Sequence, residues 1–173
     1  SMDSIISNLL QLSRIESGKI IPATEKVSIQ KMFFRLKEEF KAINKDMTIQ
    51  FEEKPLQEIY TDSELLHQVF VAIISNSNKF IKQNPLIELK CTQTENQTTI
   101  EILDNGPGFE ENVLPHVFER FYRGDSSHNR SAGGSGLGLS IAQAIIKSLN
   151  GKIIASNGKN GGALITITLK NLA

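Results

Sequence analysis

An alternating run that ends in an aspartate and two glycines constrains this chain more than any other stretch. Across Thr98 to Leu103, Ile100 and Ile102 alternate with Thr99 and Glu101, the pattern of a half-buried strand that delivers Asp104 to its end. Asp104-Asn105-Gly106-Pro107-Gly108 then turns the chain, and the two glycines leave no Cβ on either side of the proline, so a flat ligand can approach the backbone. A carboxylate at a strand end accepts hydrogen bonds. It suits the exocyclic amino group of adenine and not the acceptor oxygen that guanine carries at the same place. Alone, such a sequence is most often only a turn.

A second glycine cluster follows, Gly133-Gly134-Ser135-Gly136-Leu137-Gly138-Leu139. It opens an apolar helix with Gly138, Ile141, Ala142, Ile145 and Leu149 at helical spacing and Asn150-Gly151 as its stop. Free backbone N–H groups at such a helix start form an anion site. Two known phosphate loops do not fit. The P-loop needs Lys and then Ser or Thr where Leu139-Ser140 stand, and the dinucleotide fingerprint needs a third glycine where Leu139 stands. Neither has the strand that should lead into it.

The chain has 173 residues, enough for one domain or one and a short appendage, and 39% hydrophobic content supplies an ordinary core. Nineteen basic and nineteen acidic residues leave no net field, so a nucleic-acid partner has no support and any phosphate site must be built locally. Cys91, the single cysteine, falls in the alternating run Ile87, Leu89, Cys91 and reads as a small core residue in a reducing compartment. No apolar run of about 18 residues is present, nor a signal peptide. Ser1-Met2 reads as a scar ahead of a start inside a longer gene, so an excised piece is expected.

In chain order, Ile5, Leu9 and Leu12, flanked by Ile6, Leu10 and Ile15, stripe a helix that ends at Gly18. A lone helix of this length is marginal in water, so the stripe needs a partner: its own domain or, as favoured here, the bundle of a longer dimerising helix. Ile20 to Thr24 reads as a linker. A helix with Ile29, Met32, Phe33, Leu36, Phe40 and Ile43 on one face and a strand at Thr48 to Glu52 follow.

Thr61 to Glu64 matches a capping box and starts a helix running to about Ile81, with a core stripe of Leu66, Val69, Phe70, Ile73 and Phe80. Asn76 lies on the edge of that stripe, where an unpaired amide costs roughly 1–3 kcal/mol. Either it bonds nearby backbone, or its oxygen holds a hard cation such as Mg2+, with Lys79 beside it as a phosphate counter-charge. Strands at Leu86 to Thr92, Thr98 to Leu103, Lys152 to Ala155 and Ala163 to Leu169 complete a sheet. Between them, Phe118 to Arg123 and the polar residues 124–132 read as a lid, with Arg120, Arg123 and Arg130 as phosphate candidates. His67, His116 and His128 have no metal or triad spacing. The element order fits an α/β (α+β) two-layer sandwich with helices on one face.

In this order the motifs resemble those of the catalytic, ATP-binding part of sensor histidine kinases, within the gyrase, Hsp90, histidine kinase and MutL superfamily. Gln68 to Phe80 resembles the N box, Asp104-x-Gly106-x-Gly108 the first glycine box, Phe118 to Arg123 the F box, and Gly134-x-Gly136-Leu137-Gly138-Leu139 the second glycine box. Ser7 to Lys19 is similar to the end of the second helix of the family's dimerisation and phosphoacceptor domain. The resemblance implies a Bergerat-type fold with a mixed sheet, residues 1–20 as that helix end and linker, and 21–173 as the catalytic domain.

It also implies roles. Asp104 would bind the adenine amino group, Gly106 and Gly108 would admit the base, and Asn76 would coordinate Mg2+. Lys79 and Arg123 would contact phosphate oxygens of ATP, and the backbone of Gly134, Ser135, Gly136, Leu137 and Gly138 would cradle them. The implied reaction moves the γ-phosphoryl group to a histidine on a helix outside this chain, in a homodimer that serves a response regulator and is commonly anchored in the membrane with this part in the cytoplasm.

One position departs from the pattern. Ala72 stands where the N box usually carries a further Asn and where the gyrase and Hsp90 branches carry a Glu base, so vigorous ATP hydrolysis is not expected. Two alternatives remain at this point: an anti-sigma-type serine kinase on the same fold, and a degenerate nucleotide-binding or interaction module.

Overall fold

The structure, a computed structural model, describes residues 2–122 and 138–171. Its elements run α1 (Met2–Glu16), β1 (Glu25–Val27), α2 (Ile29–Ile43), β2 (Thr48–Phe51), β3 (Ile59–Thr61), α3 (Ser63–Phe80), β4 (Leu86–Gln93), β5 (Gln97–Asp104), a 3-10 turn (Leu114–His116), α4 (Gly138–Ser148), β6 (Lys152–Asn157) and β7 (Ala163–Lys170).

Five strands form a mixed sheet in the order β2-β4-β5-β7-β6, in which β2 pairs parallel to β4 and every other pair is antiparallel. The alternation read from the sequence holds. Ile87, Leu89, Cys91, Ile100, Ile102, Ile165, Ile167 and Leu169 turn into one core, while Glu88 and Lys90 face out. The core is closed by the apolar faces of α2, α3 and α4, including Phe33 packed edge-on to Phe70 with ring centroids 6.0 Å apart. Helices thus cover one face of the sheet. Among the described residues no helix is long and apolar enough to cross a membrane.

β1 and β3 pair as a separate two-stranded ribbon that periodicity does not reveal, since three residues carry too little pattern. Asn171 ties this ribbon to the main sheet. Its carbonyl accepts from Tyr60 N–H at 3.0 Å, its side-chain oxygen accepts from Thr98 at 2.5 Å, and its amide donates to the carbonyls of Thr94 and Glu95.

Three helical expectations change. The cap of α3 is Asp62 and not Thr61, because one Asp62 oxygen accepts from Leu65 N–H at 3.0 Å and the other from Ala23 N–H at 2.8 Å. Glu64 pairs with Arg35 instead of closing a capping box. Ile43, 66% exposed in the last turn of α2, lies beyond the stripe that ends at Phe40. Phe80 is 40% exposed and borders a cavity, not the core.

Helix α1 packs on α4. Leu12 (1% exposed) and Ile15 join the core, Gln11 hydrogen-bonds Gln68 of α3, and Glu16 pairs with Arg120. Ile6 and Leu10, at 50% and 55%, remain exposed on the opposite side.

Candidate functional site

Asp104 is the last residue of β5, and its parity with Ile100 and Ile102 turns its side chain toward the helices. It is 9% exposed and carries three hydrogen bonds. Oδ1 accepts from the backbone N–H of Gly106 and of Ala163, each at 2.9 Å, and Oδ2 accepts from the Ser77 hydroxyl at 2.7 Å. A carboxylate has about four acceptor positions, so the three donors leave one.

The turn behind Asp104 is built to a tight tolerance. Asn105 fastens it to β4, accepting from Leu86 N–H at 2.8 Å and donating to the Asn84 carbonyl at 3.2 Å. A Cβ on Gly106 would fall 2.8 Å from Ile81 Cγ1. Gly108 has φ +78°, and a Cβ there would lie 2.7 Å from Asn157 Oδ1. That oxygen is engaged already, accepting from Phe109 N–H at 2.7 Å, while Asn157 Nδ2 donates to the Phe109 carbonyl at 2.9 Å. Gly162 presses on the same turn with φ +86°, and a Cβ there would reach 1.9 Å from the Asp104 carbonyl oxygen.

In front of Asp104 lies a cavity of about 300 Å³, walled by Ser77, Phe80, Ile81, Phe109, Val113 and Leu139 among others. Asn76, Glu110 and Tyr122 also line it, so polar groups face apolar side chains such as Phe80, Ile81 and Leu139 across a concave site that suits a flat heterocycle. A wider cavity of about 480 Å³ adjoins it, lined by Gln68, Ala72, Asn76, Lys79 and, from α1, Asn8 and Gln11. The two share Asn76, Val117, Tyr122 and Leu139 as common walls.

Asn76 therefore stands where the chambers meet. Its half-buried amide has no hydrogen-bond partner among the described residues, whereas Asn78 on the same helix accepts from the amide of Asn44 at 2.9 Å. Lys79, exposed on the same flank, lines the wider chamber and has no carboxylate partner among the described residues. Ala72 lines it too, and its carbonyl approaches Gly138, where a Cβ would sit 3.9 Å away. Gly138 itself begins α4, so the start of that helix faces the chamber.

Asn76, Lys79, Asp104, Gly108 and Gly138 thus border two adjoining cavities, and Gly106 stands directly behind Asp104. Arg123, Arg130, Gly134, Ser135, Gly136 and Leu137 lie outside the described residues, as does His128. Arg120 does not reach this site. It pairs with Glu16 and borders a different cavity between α1 and α4. His67 bonds Glu39 at 2.7 Å, and His116 bonds Glu119 at 2.8 Å while stacking on Tyr122. Among the described residues no three His, Cys, Asp or Glu side chains cluster to hold a metal.

Sequence reasoning passed over Ser77, Asn157 and Gly162. For Ser77 a signal existed, since it falls four residues after Ile73 on the buried stripe, where a hydroxyl needs a partner. Asn157 and Gly162 act through contacts between distant segments, and no local pattern announces them.

A family model described as histidine kinase-, DNA gyrase B- and HSP90-like ATPase matches residues 61–173. The chain is 33% identical over 172 residues to the sensor protein kinase WalK of Staphylococcus saprophyticus, covering 97% of this chain and 28% of that one. It is 30% identical over 170 residues to the sensor protein KdpD of Clostridium acetobutylicum, covering 95% of this chain and 18% of that one. The chain therefore spans under a third of the length of these relatives. Full-length ShkA, solved in complex with AMPPNP, superposes with a TM-score of 0.82 at 21% identity over 98% of this chain and 36% of its own. The catalytic domain of the histidine kinase ThkA gives 0.74 at 19% identity over 87% of this chain and 99% of its own. With a family model over most of its length and sensor kinases aligned along nearly all of it, the chain belongs to the histidine kinase-, DNA gyrase B- and HSP90-like ATPases, as an ATP-binding catalytic domain of the sensor histidine kinase type.

Proposed function

We propose that this domain positions Mg-ATP for transfer of its γ-phosphoryl group to a histidine on a dimerisation helix outside the chain. The observation that carries the reading is the buried Asp104 carboxylate, with one acceptor position left, lining a cavity that shares Asn76 as a wall with a chamber lined by Lys79. An acceptor there favours the amino group of adenine. A side chain at Gly106 would press on Ile81 and Asp104 Oδ1, both of which line the cavity, and one at Gly108 would strike Asn157, which holds the loop at Phe109.

The residues present fit a magnesium ion. The Asn76 amide is half-buried and without a partner among the described residues, and its oxygen is the kind of ligand a hard cation takes alongside phosphates and water. Bound there with the triphosphate, magnesium supplies charge neutralisation for phosphoryl transfer. Lys79 and Arg123 would contact phosphate oxygens, and the backbone N–H groups of Gly134, Ser135, Gly136, Leu137 and Gly138 would cradle them. Phosphoryl transfer asks the protein mainly for alignment and countercharge, so no side chain of this domain needs to act as a nucleophile.

Residues 1–20 act as the end of the dimerisation helix and its linker, and 21–173 as the catalytic domain. The full-length protein works as a homodimer with a response regulator and is anchored in the membrane with this domain in the cytoplasm. Kinship with sensor kinases supports this over the serine-kinase and degenerate-module alternatives.

The test incubates the full-length protein with γ-labelled ATP and Mg2+. Acid-labile label on the protein, lost in Asn76→Ala, is the expected result. Absence of label with nucleotide bound, or acid-stable label, contradicts the reading.

A further inference from the structure

We propose that Ser77 is the positioning residue that aims Asp104 at the amino group of the base, so that a Ser77–Asp104 pair, and not Asp104 alone, selects the nucleotide. The inference rests on the adenine reading of the cavity given above.

The two oxygens of Asp104 are not equivalent. Oδ1 is filled by two backbone donors, Gly106 N–H and Ala163 N–H, both at 2.9 Å. The remaining acceptor position therefore lies on Oδ2, the oxygen that Ser77 holds. Whatever fixes Oδ2 fixes the direction in which the cavity accepts a proton.

Ser77 is placed to do this. It is buried on α3, in a stretch with Ile73 and Ile74 locked in the core, so its hydroxyl starts from a rigid platform. Its single proton has two acceptors in reach, the Ile73 carbonyl at 3.4 Å and Asp104 Oδ2 at 2.7 Å. The shorter, charge-assisted bond takes it. With that proton committed to Asp104, the hydroxyl turns no donor toward the cavity it lines. A 6-amino purine brings a donor to Oδ2, whereas a 6-keto purine brings an acceptor against an acceptor.

The test is a cross of one substitution with one change in the ligand. Affinities of wild type and Ser77→Ala are measured by calorimetry in Mg2+ for ATP and for purine riboside triphosphate, which has hydrogen in place of the 6-amino group. Alanine is the best helix former, so α3 stands in the variant, and a melting curve verifies it. Ser77→Ala is expected to weaken ATP roughly tenfold and leave purine riboside triphosphate unchanged, because only ATP uses the oriented oxygen. A merely structural role would weaken both alike.

Equal loss for both nucleotides, or no loss for either, in a wild type that prefers ATP overturns the role of Ser77 and leaves the adenine reading standing. A wild type that binds neither nucleotide, or both equally well, overturns the adenine reading itself.

Discussion

Asn157, at the end of β6, pairs with both backbone groups of Phe109, accepting from its N–H at 2.7 Å and donating to its carbonyl at 2.9 Å. One side chain thus closes the loop after Gly108 onto the sheet. Asn157→Ala strips both bonds and is expected to lower stability by about 1–3 kcal/mol. A shift in denaturant midpoint at unchanged slope measures this, and nucleotide affinity should fall with it, since Phe109 walls the cavity.

Gly108 and Gly106 guard the same turn for different reasons, and alanine at each should separate them. Gly108→Ala forces a side chain onto a backbone at φ +78° and into Asn157, so it is expected to cost at least about 1–2 kcal/mol of stability. Gly106→Ala meets side chains alone, Ile81, which can shift, and Asp104 Oδ1 at 3.2 Å, so its loss should be smaller in stability than in nucleotide affinity. Thermal unfolding and calorimetry on the two variants check the order.

These residues show what a sequence discloses and what it conceals. Alternation at Ile100 and Ile102 and the glycines at 106 and 108 are local, and from them Asp104 could be placed at a strand end beside an open turn, where the structure has it lining a cavity. Ser77, Asn157 and Gly162 act across 27, 48 and 58 residues, on Asp104, Phe109 and Asp104 again, and such pairings exist only once α3 is packed on β5 and the strands β5, β6 and β7 are assembled. Phe80 misled for a related reason. Helical spacing assigns it a face, but whether core or cavity covers that face depends on the loop from Phe109 to Val117.

Helix α1 offers a direct test of its own attachment. Leu12 is buried against this domain while Ile6 and Leu10 are exposed, so both partners weighed from the stripe retain a surface. If α1 is part of the domain's cooperative unit, Leu12→Ala should cost about 2–5 kcal/mol in urea unfolding of the isolated chain. The exposed Arg120–Glu16 pair should contribute about 1 kcal/mol or less, so Arg120→Ala should have a small effect. No change in the unfolding of Leu12→Ala would mean that α1 is not held by this domain.

Cys91 should leave a mark on the alkaline limb of stability. Burial pushes its thiol up from the ordinary 9.0 to about 11, partly offset by Lys54. The native state keeps a proton that the unfolded chain releases, so this contribution is full below pH 9.0 and is lost as pH rises through about 11. Cys91→Ala should show a lower but flatter stability profile across that window. In the native protein the thiol should also resist alkylating reagents at neutral pH and react once denatured.

The central claim, that Asp104 reads adenine at a site completed by magnesium, is tested most directly by calorimetric titration of ATP into the wild-type chain and Asp104→Asn, each with and without Mg2+. The variant keeps the size of the side chain and an oxygen for Gly106 and Ala163, but offers a donor where the base needs an acceptor. Binding strengthened by Mg2+ in the wild type and weakened roughly ten- to hundredfold in Asp104→Asn is the result expected. Equal affinity in the two proteins would contradict the account, and so would wild-type binding indifferent to Mg2+.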